Sequence, residues 1–232
     1  MRFGYVGAVA LAGMLAVGIG TAAQGHQDVD QKVAGGGIFA PGWHGKIDAQ
    51  SAKRGGSIND SKFKKDGDTF QISTGPAAVY WDPSNKATDD FTAKATFKET
   101  GVGVRSGHPH PYGIFIGGSH LDTDQPSLMY CVAYGDGTFL VREFSGGQVT
   151  TLTRKEANDA VHKAGDDKTV TNEVGWNVHG SRAECQINGT VVAGFDKDAL
   201  VGPGKLDSLD GIVGVRVAHN VDVTMSGFSV SK

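Results

Sequence analysis

The chain has 232 residues, 35 of them glycine, and only 20% are charged, a size and turn-rich composition that suit one large all-β domain. Its formal net charge of -3, with no Lys/Arg run and no aromatic RNA-binding signature, argues nucleic acid out as a partner. Leu, Ile and Val occur in every segment after position 100, so a sizeable core can form.

Residues 1–23 combine an early positive charge at Arg2, an apolar run over residues 8–19, and the small residues Gly20, Thr21, Ala22 and Ala23 ahead of Gln24. That is the layout of a signal peptide cleaved near Ala22 or Ala23, and the run is short for a membrane span. The expectation is a secreted or periplasmic chain with no membrane association after cleavage. Residues 24–37 are polar and close on Gly35-Gly36-Gly37, which predicts a flexible leader ahead of one domain over residues 38–232.

Trp43, in Pro-Gly-Trp-His-Gly, is expected to pack near the domain's start. Residues 49–67 are rich in Lys, Arg, Ser, Gly and Asp and predict a solvated excursion ending in a turn at residues 65–68. A short strand follows over residues 70–73. Within residues 77–83, Tyr80, Trp81 and Asp82 are consecutive; strand neighbours face opposite sides, so one of the two aromatics must turn away from the core. Residues 91–98 alternate, with Phe91, Ala93, Ala95 and Phe97 inward and Thr92, Lys94, Thr96 and Lys98 outward.

The next loop carries His108 and His110. After it comes an apolar strand over residues 112–118, whose Gly113, Gly117 and Gly118 predict close approach of another segment. His120, Asp122 and Asp124 sit in the following loop. Strands over residues 128–134 and 138–144 pair across Gly135-Asp136-Gly137. A two-residue loop groups Tyr130 with Val132, Tyr134, Phe139 and Val141, whereas a three-residue loop sets Tyr130 opposite Arg142. Thr153-Arg-Lys-Glu156 is a capping box, and Ala157, Ala160, Val161 and Ala164 recur at helical spacing, which predicts one short surface helix over residues 154–163.

Residues 171–196 carry the strongest local signal. Val174, Trp176 and Val178, then Ala183, Cys185 and Ile187, are apolar at every second position, the period of a strand with one buried face. Turns at Gly180-Ser181 and Asn188-Gly189 join three antiparallel strands, with His179 opposite Arg182 and Trp176 opposite Cys185. Asn188-Gly-Thr190 also matches a glycosylation sequon, which the turn explains without modification. A helical turn near residues 196–200 and a Gly-Pro-Gly linker lead to a last pair of strands over residues 212–218 and 221–230. About a dozen antiparallel strands spaced by Gly and Asn turns predict an all-β, two-sheet sandwich. Export permits a disulfide between Cys131 and Cys185; equally, two cysteines in a large sandwich are often buried thiols, and a core of this size does not need a bridge.

The hairpins at residues 171–196, followed by Asp210-Gly-Ile-Val-Gly-Val-Arg216 and a closing Met225-Ser-Gly-Phe-Ser-Val230, resemble the C-terminal half of concanavalin A-like jelly-roll domains. That superfamily includes laminin-G-like modules and the secreted domains named after 3-keto-disaccharide hydrolases; Trp43 resembles the Gly-Trp opening of the latter. The resemblance implies a jelly-roll sandwich over residues 39–232. The hydrolase-type domains carry an Asn-Ser-Gly strand, an Arg and a Gly-x-Glu-x-Gln segment, where this chain reads Tyr112-Gly-Ile-Phe-Ile-Gly-Gly118 and Leu128-Met-Tyr-Cys-Val132.

Among polar groups, His108, His110, His120, Asp122 and Asp124 are the densest, and imidazole with carboxylate can hold a metal. They lack both the helical HExxH spacing and the further oxygens of a calcium loop, so they are read as exposed loop residues with no metal and no cofactor. A sugar-binding face needs aromatic rings to stack on pyranoses and polar side chains to fix hydroxyls. Its candidates are Tyr80, Trp81, Asp82, His108, His110, Tyr112, Tyr130 and Arg142. Glycoside cleavage needs two opposed carboxylates, and no spacing selects a pair from Asp82, Asp136, Glu143 and Glu184. The expected function is a secreted sandwich with a carbohydrate ligand on its concave face and no assigned catalysis. The alternatives are a divergent glycoside-processing hydrolase of the 3-keto-disaccharide type and a structural or adhesive surface module.

Overall fold

The computed structural model describes residues 29–232 together with Met1 and Gly4. The signal peptide expected over residues 1–23 falls, but for those two positions, outside the described residues. From residue 37 onward, the alternating segments pair into two stacked sheets. The eight-stranded sheet runs β1 (Gly37–Phe39), β3 (Lys62–Asp66), β4 (Thr69–Ser73), β15 (Asp222–Ser231), β6 (Phe91–Thr100), β11 (Thr169–His179), β12 (Arg182–Ile187) and β13 (Thr190–Asp196). The seven-stranded sheet runs β10 (Gln148–Ala157), β9 (Thr138–Ser145), β8 (Ser127–Ala133), β7 (Tyr112–Ser119), β14 (Gly211–Val217), β5 (Ala78–Ala87) and β2 (His44–Ile47). Neighbours pair antiparallel except β1 with β3. The all-β jelly-roll sandwich is therefore as expected.

The hairpins of β11, β12 and β13 have the predicted register, His179 opposite Arg182 and Trp176 opposite Cys185. Asn188 and Gly189 both take positive φ, 49° and 78°, as a two-residue turn requires. Val174, Trp176, Ala183, Cys185 and Ile187 are all fully buried against the seven-stranded sheet. Two links cross the layers here. Trp176 Nε1 donates to the Ile114 carbonyl at 3.0 Å, and Cys131 on β8 is disulfide-bonded to Cys185 on β12 with Cα atoms 6.0 Å apart. The bridge thus forms, because both cysteines point inward from facing strands.

Several expectations are corrected. The helix expected over residues 154–163 is instead the edge strand β10, ending in a turn in which the Val161 amide donates to the Asn158 carbonyl. The edge of β9 offers that segment a row of hydrogen bonds, and register shifts at residues 151–153 and 153–156 disguise its alternation. Among the described residues the α-helices are α1 (Ala49–Lys53) and α2 (Lys197–Leu200), the second at the predicted helical turn. Residues 49–67 are not wholly a solvated excursion: besides α1 they contain β3, whose Phe63 is fully buried against Tyr80. The final strands β14 and β15 do not pair with each other but lie in opposite layers. Residues 29–33, expected within a flexible leader, lie along one end of the sandwich. There Asn220 donates to the Val29 carbonyl and accepts from the Gln31 amide, and Arg105 binds the Gln31 carbonyl.

Asn188 does more than turn the chain. Its Oδ1 accepts from the Glu173 amide at 2.8 Å, while Nδ2 donates to the Ala160 carbonyl at 2.7 Å and to Asn172 Oδ1 at 2.8 Å. Asn172 is fully buried and also receives the His162 amide. The amide nitrogen that a glycan would need is therefore committed inside the fold. Asn188→Ala strands these partners and replaces a residue that tolerates positive φ with one that tolerates it less well; the expected cost is about 2–4 kcal/mol in urea unfolding. A loss under 0.5 kcal/mol would show that the network contributes nothing.

Candidate functional site

Because side chains alternate along a strand, β2, β5, β14, β7, β8 and β9 present a second set of residues on the side of the seven-stranded sheet away from the core. The register sets His44 and Lys46 beside Trp81 and Val79. Gly214 lies between Trp81 and Phe115, and Arg216 between Val79 and Gly113. Tyr130 lies between Phe115 and Arg142, the three-residue-loop register. This face is apolar: Val79, Trp81, Phe115, Leu128, Tyr130, Val132 and Leu140 are buried together there. Gly214 makes the arrangement possible, since a Cβ at that position would strike the Phe115 ring and the Tyr80 carbonyl.

The loop between β7 and β8 folds across this face. Leu121 inserts into the apolar cluster, and Lys46 Nζ on β2 holds the loop's far side by donating to the carbonyls of Asp122 and Thr123 and to Asp124 Oδ1. Between the loop, α1 and the β9–β10 turn a pocket of about 520 Å³ remains. Val79, Leu128, Phe144 and Val149 give it an apolar surface, and Lys46, Asp48, Gln50, Lys53, Thr123 and Asp124 supply polar groups.

Beside the pocket lies a bidentate ion pair. Arg216 Nη2 reaches Asp48 Oδ2 at 2.6 Å and Nη1 reaches Oδ1 at 2.5 Å. Burial by itself pulls the Arg216 pKa down, but the Asp48 carboxylate more than reverses this and the net shift is upward. The guanidinium also stands 5.5 Å from the Tyr130 ring centre and 5.6 Å from that of Phe144, within cation–π range. Asp48 and Phe144, both at the pocket, are therefore fixed from beneath by one buried arginine.

The eight residues singled out from sequence fall in four places. Trp81, Tyr130 and Arg142 lie on the outer face; Trp81 is only 6% exposed and stacks on His44 with ring centres 5.7 Å apart. Arg142 donates to Thr151 Oγ1 at 3.2 Å. Asp82, farther along β5, accepts from the Ser84 amide and hydroxyl. Tyr80 and Tyr112 are corrected: strand phase turns both into the core, fully buried, Tyr80 stacked on Phe63 and Tyr112 reached by Asn172. His108 and His110 lie at the end of the sandwich, where His110 packs on both His108 and His219 with ring centres 4.4 and 4.1 Å apart. His219 in turn pairs with Asp30 at 3.1 Å. His110 is thus buried rather than an exposed loop residue. His120 belongs elsewhere, 3.7 Å from Asp207, and among the described residues no group of three or more His, Cys, Asp or Glu side chains is placed to hold a metal ion.

Sequence reading missed Lys46, Asp48, Lys53, Phe144 and Arg216. Arg216 had a readable signal: it is out of phase with Val213, Val215 and Val217, so it had to leave the core on the far side of β14.

No protein-family model and no curated protein matches the chain. Solved structures do. A carbohydrate-binding module, CBM66, from Bacillus subtilis superposes with a TM-score of 0.55 at 9% identity, over 85% of this chain and 98% of that one. A protein of unknown function with a galectin-like fold, also from Bacillus subtilis, gives 0.52 at 12% identity, over 82% and 88%. The endo-β-1,3-glucanase from Pyrococcus furiosus gives 0.52 at 10% identity, over 79% and 85%. These likenesses concern fold alone: the chain shares the jelly-roll sandwich of these structures.

Proposed function

We propose that this protein is an exported carbohydrate-binding sandwich that holds a saccharide in the pocket on the outer face of the seven-stranded sheet. The observation that carries the reading is the Phe144 ring set beside the Arg216-fixed Asp48 carboxylate in one pocket. A ring offers a stacking platform for a pyranose, and a carboxylate with both oxygens positioned accepts from neighbouring hydroxyls. The disulfide and the arrangement of residues 1–23 support export. Among the described residues no helix is long and apolar enough to cross a membrane.

The hydrolase alternative needs an opposed acid and base. Of the carboxylates lining the pocket, Asp48 is committed to Arg216 and Asp124 stands almost wholly in solvent beside Lys46, so neither is placed as a buried, opposed acid and the pocket supports binding better than cleavage. A glycan array followed by calorimetry on the best oligosaccharide tests the proposal. Phe144→Ala, with folding checked by circular dichroism, is expected to weaken binding about tenfold or more. An array without signal, or affinity unchanged in a folded Phe144→Ala protein, would leave the surface-module alternative.

A further inference from the structure

From the charges around this pocket we infer that its ligand is an acidic saccharide, a uronate-containing glycan whose carboxylate sits between Lys46 and Lys53. The inference rests on the binding reading above and adds the ligand's chemical class. Three cations and two anions surround the pocket. Arg216 and Asp48 neutralise each other in a bidentate pair that is partly buried and fixed. Lys46 meets Asp124 at 3.0 Å, but the Asp124 side chain is 87% exposed while that of Lys46 is 27% exposed. An ion pair with one partner almost wholly in water contributes little. Lys53, on α1 across the opening, makes no ion pair among the described residues. The pocket wall thus carries one uncompensated cation and one loosely compensated one.

A ligand carboxylate can take the place of the Asp124 carboxylate on Lys46 Nζ without disturbing the rest of the site. Lys46 keeps its bonds to the Asp122 and Thr123 carbonyls, which hold the loop, and exchanges one oxygen ligand for another. The displaced Asp124 is already solvated, so the exchange costs little. Lys53 then supplies the second positive charge, while the Phe144 ring and the Asp48 carboxylate remain for the sugar ring and its hydroxyls. A neutral saccharide offers the two ammonium groups hydroxyl oxygens but no opposite charge.

Matched ligands test this. Oligogalacturonate and a mannuronate–guluronate oligomer are each compared by calorimetry with their carboxyl-reduced, neutral counterparts, on the wild type, Lys53→Met and Val149→Trp. Val149 is exposed and lines the pocket, so its replacement by Trp fills the opening without touching the core. The expected result is at least one acidic oligomer binding about tenfold more tightly than its reduced form. That preference should shrink with added salt and in Lys53→Met, and binding should vanish in Val149→Trp. Equal binding of acidic and reduced forms, abolished by Val149→Trp, overturns the acidic class and leaves the pocket standing. Acidic binding that survives Val149→Trp lies elsewhere on the protein and overturns both. No binding of either acidic oligomer overturns the acidic class, and the neutral arms then report on the pocket alone.

Discussion

Glu99→Gln is expected to make the protein more stable at alkaline pH and to flatten its stability profile between about pH 4.5 and pH 8. Glu99 sits on the inward phase of β6, after Phe91, Ala93, Ala95 and Phe97, and is only 3% exposed. Its Oε2 has no hydrogen-bond partner. Burial, reinforced by the Asp222 and Asp136 carboxylates, pushes its pKa from 4.5 up to about 8. The folded protein therefore keeps a proton there that the unfolded chain releases above pH 4.5. With the folded pKa raised, the associated stability is complete below pH 4.5 and is lost as pH rises through about 8. Glutamine preserves the shape and cannot ionise. A domain of this size shifts in Tm by about 2–4 °C per kcal/mol, so the wild type should fall by about 5–10 °C relative to the variant between pH 5 and pH 8.5. Melting curves of the two proteins that stay parallel across that range would mean that Glu99 is not buried in its charged form's disfavour.

What could be read from sequence depended on whether the information was local. The hairpins of residues 171–196 declare themselves because a period of two, two short turns and one Asn-Gly pair all lie within a few residues of each other. The segment over residues 148–163 misleads for the same reason: its capping box and alanine spacing are local helix signals, and they lose to hydrogen bonds offered by β9. Tyr80 and Trp81 show the limit of strand phase. Alternation says that one must leave the core but not which, and the outer face then buries Trp81 almost as well through Leu121 and His44. The pocket is less legible still. Asp48 and Arg216 are 168 residues apart in sequence, and Lys46 and Asp124 are 78 apart, so no motif joins them. They meet because β2, β5 and β14 share a sheet and because the β7–β8 loop crosses it. Loop histidines next to prolines looked like surface groups, yet His110 is packed by His219 from a turn more than a hundred residues later.

Removing the disulfide is expected to be the most damaging single chemical change to the fold. Cys131 and Cys185 are 54 residues apart in sequence, and the loop they close carries β9, β10, β11 and the start of β12. Untying a loop of this length restores chain entropy to the unfolded state worth about 4 kcal/mol. The double variant Cys131→Ala, Cys185→Ala should accordingly melt about 8–16 °C below the wild type, and wild type in a phosphine reductant should move toward the same value. Alanine is the right replacement because both sites are fully buried in an apolar layer beside Trp176, where serine would add an unpaired hydroxyl. Thiol titration of the unfolded, unreduced protein should find no free cysteine. Two free thiols, or a melt indifferent to reductant, would show that the sandwich closes without the bridge. A fold that loses this much when reduced is matched to an oxidising compartment, so the same melts also bear on the export expected from residues 1–23.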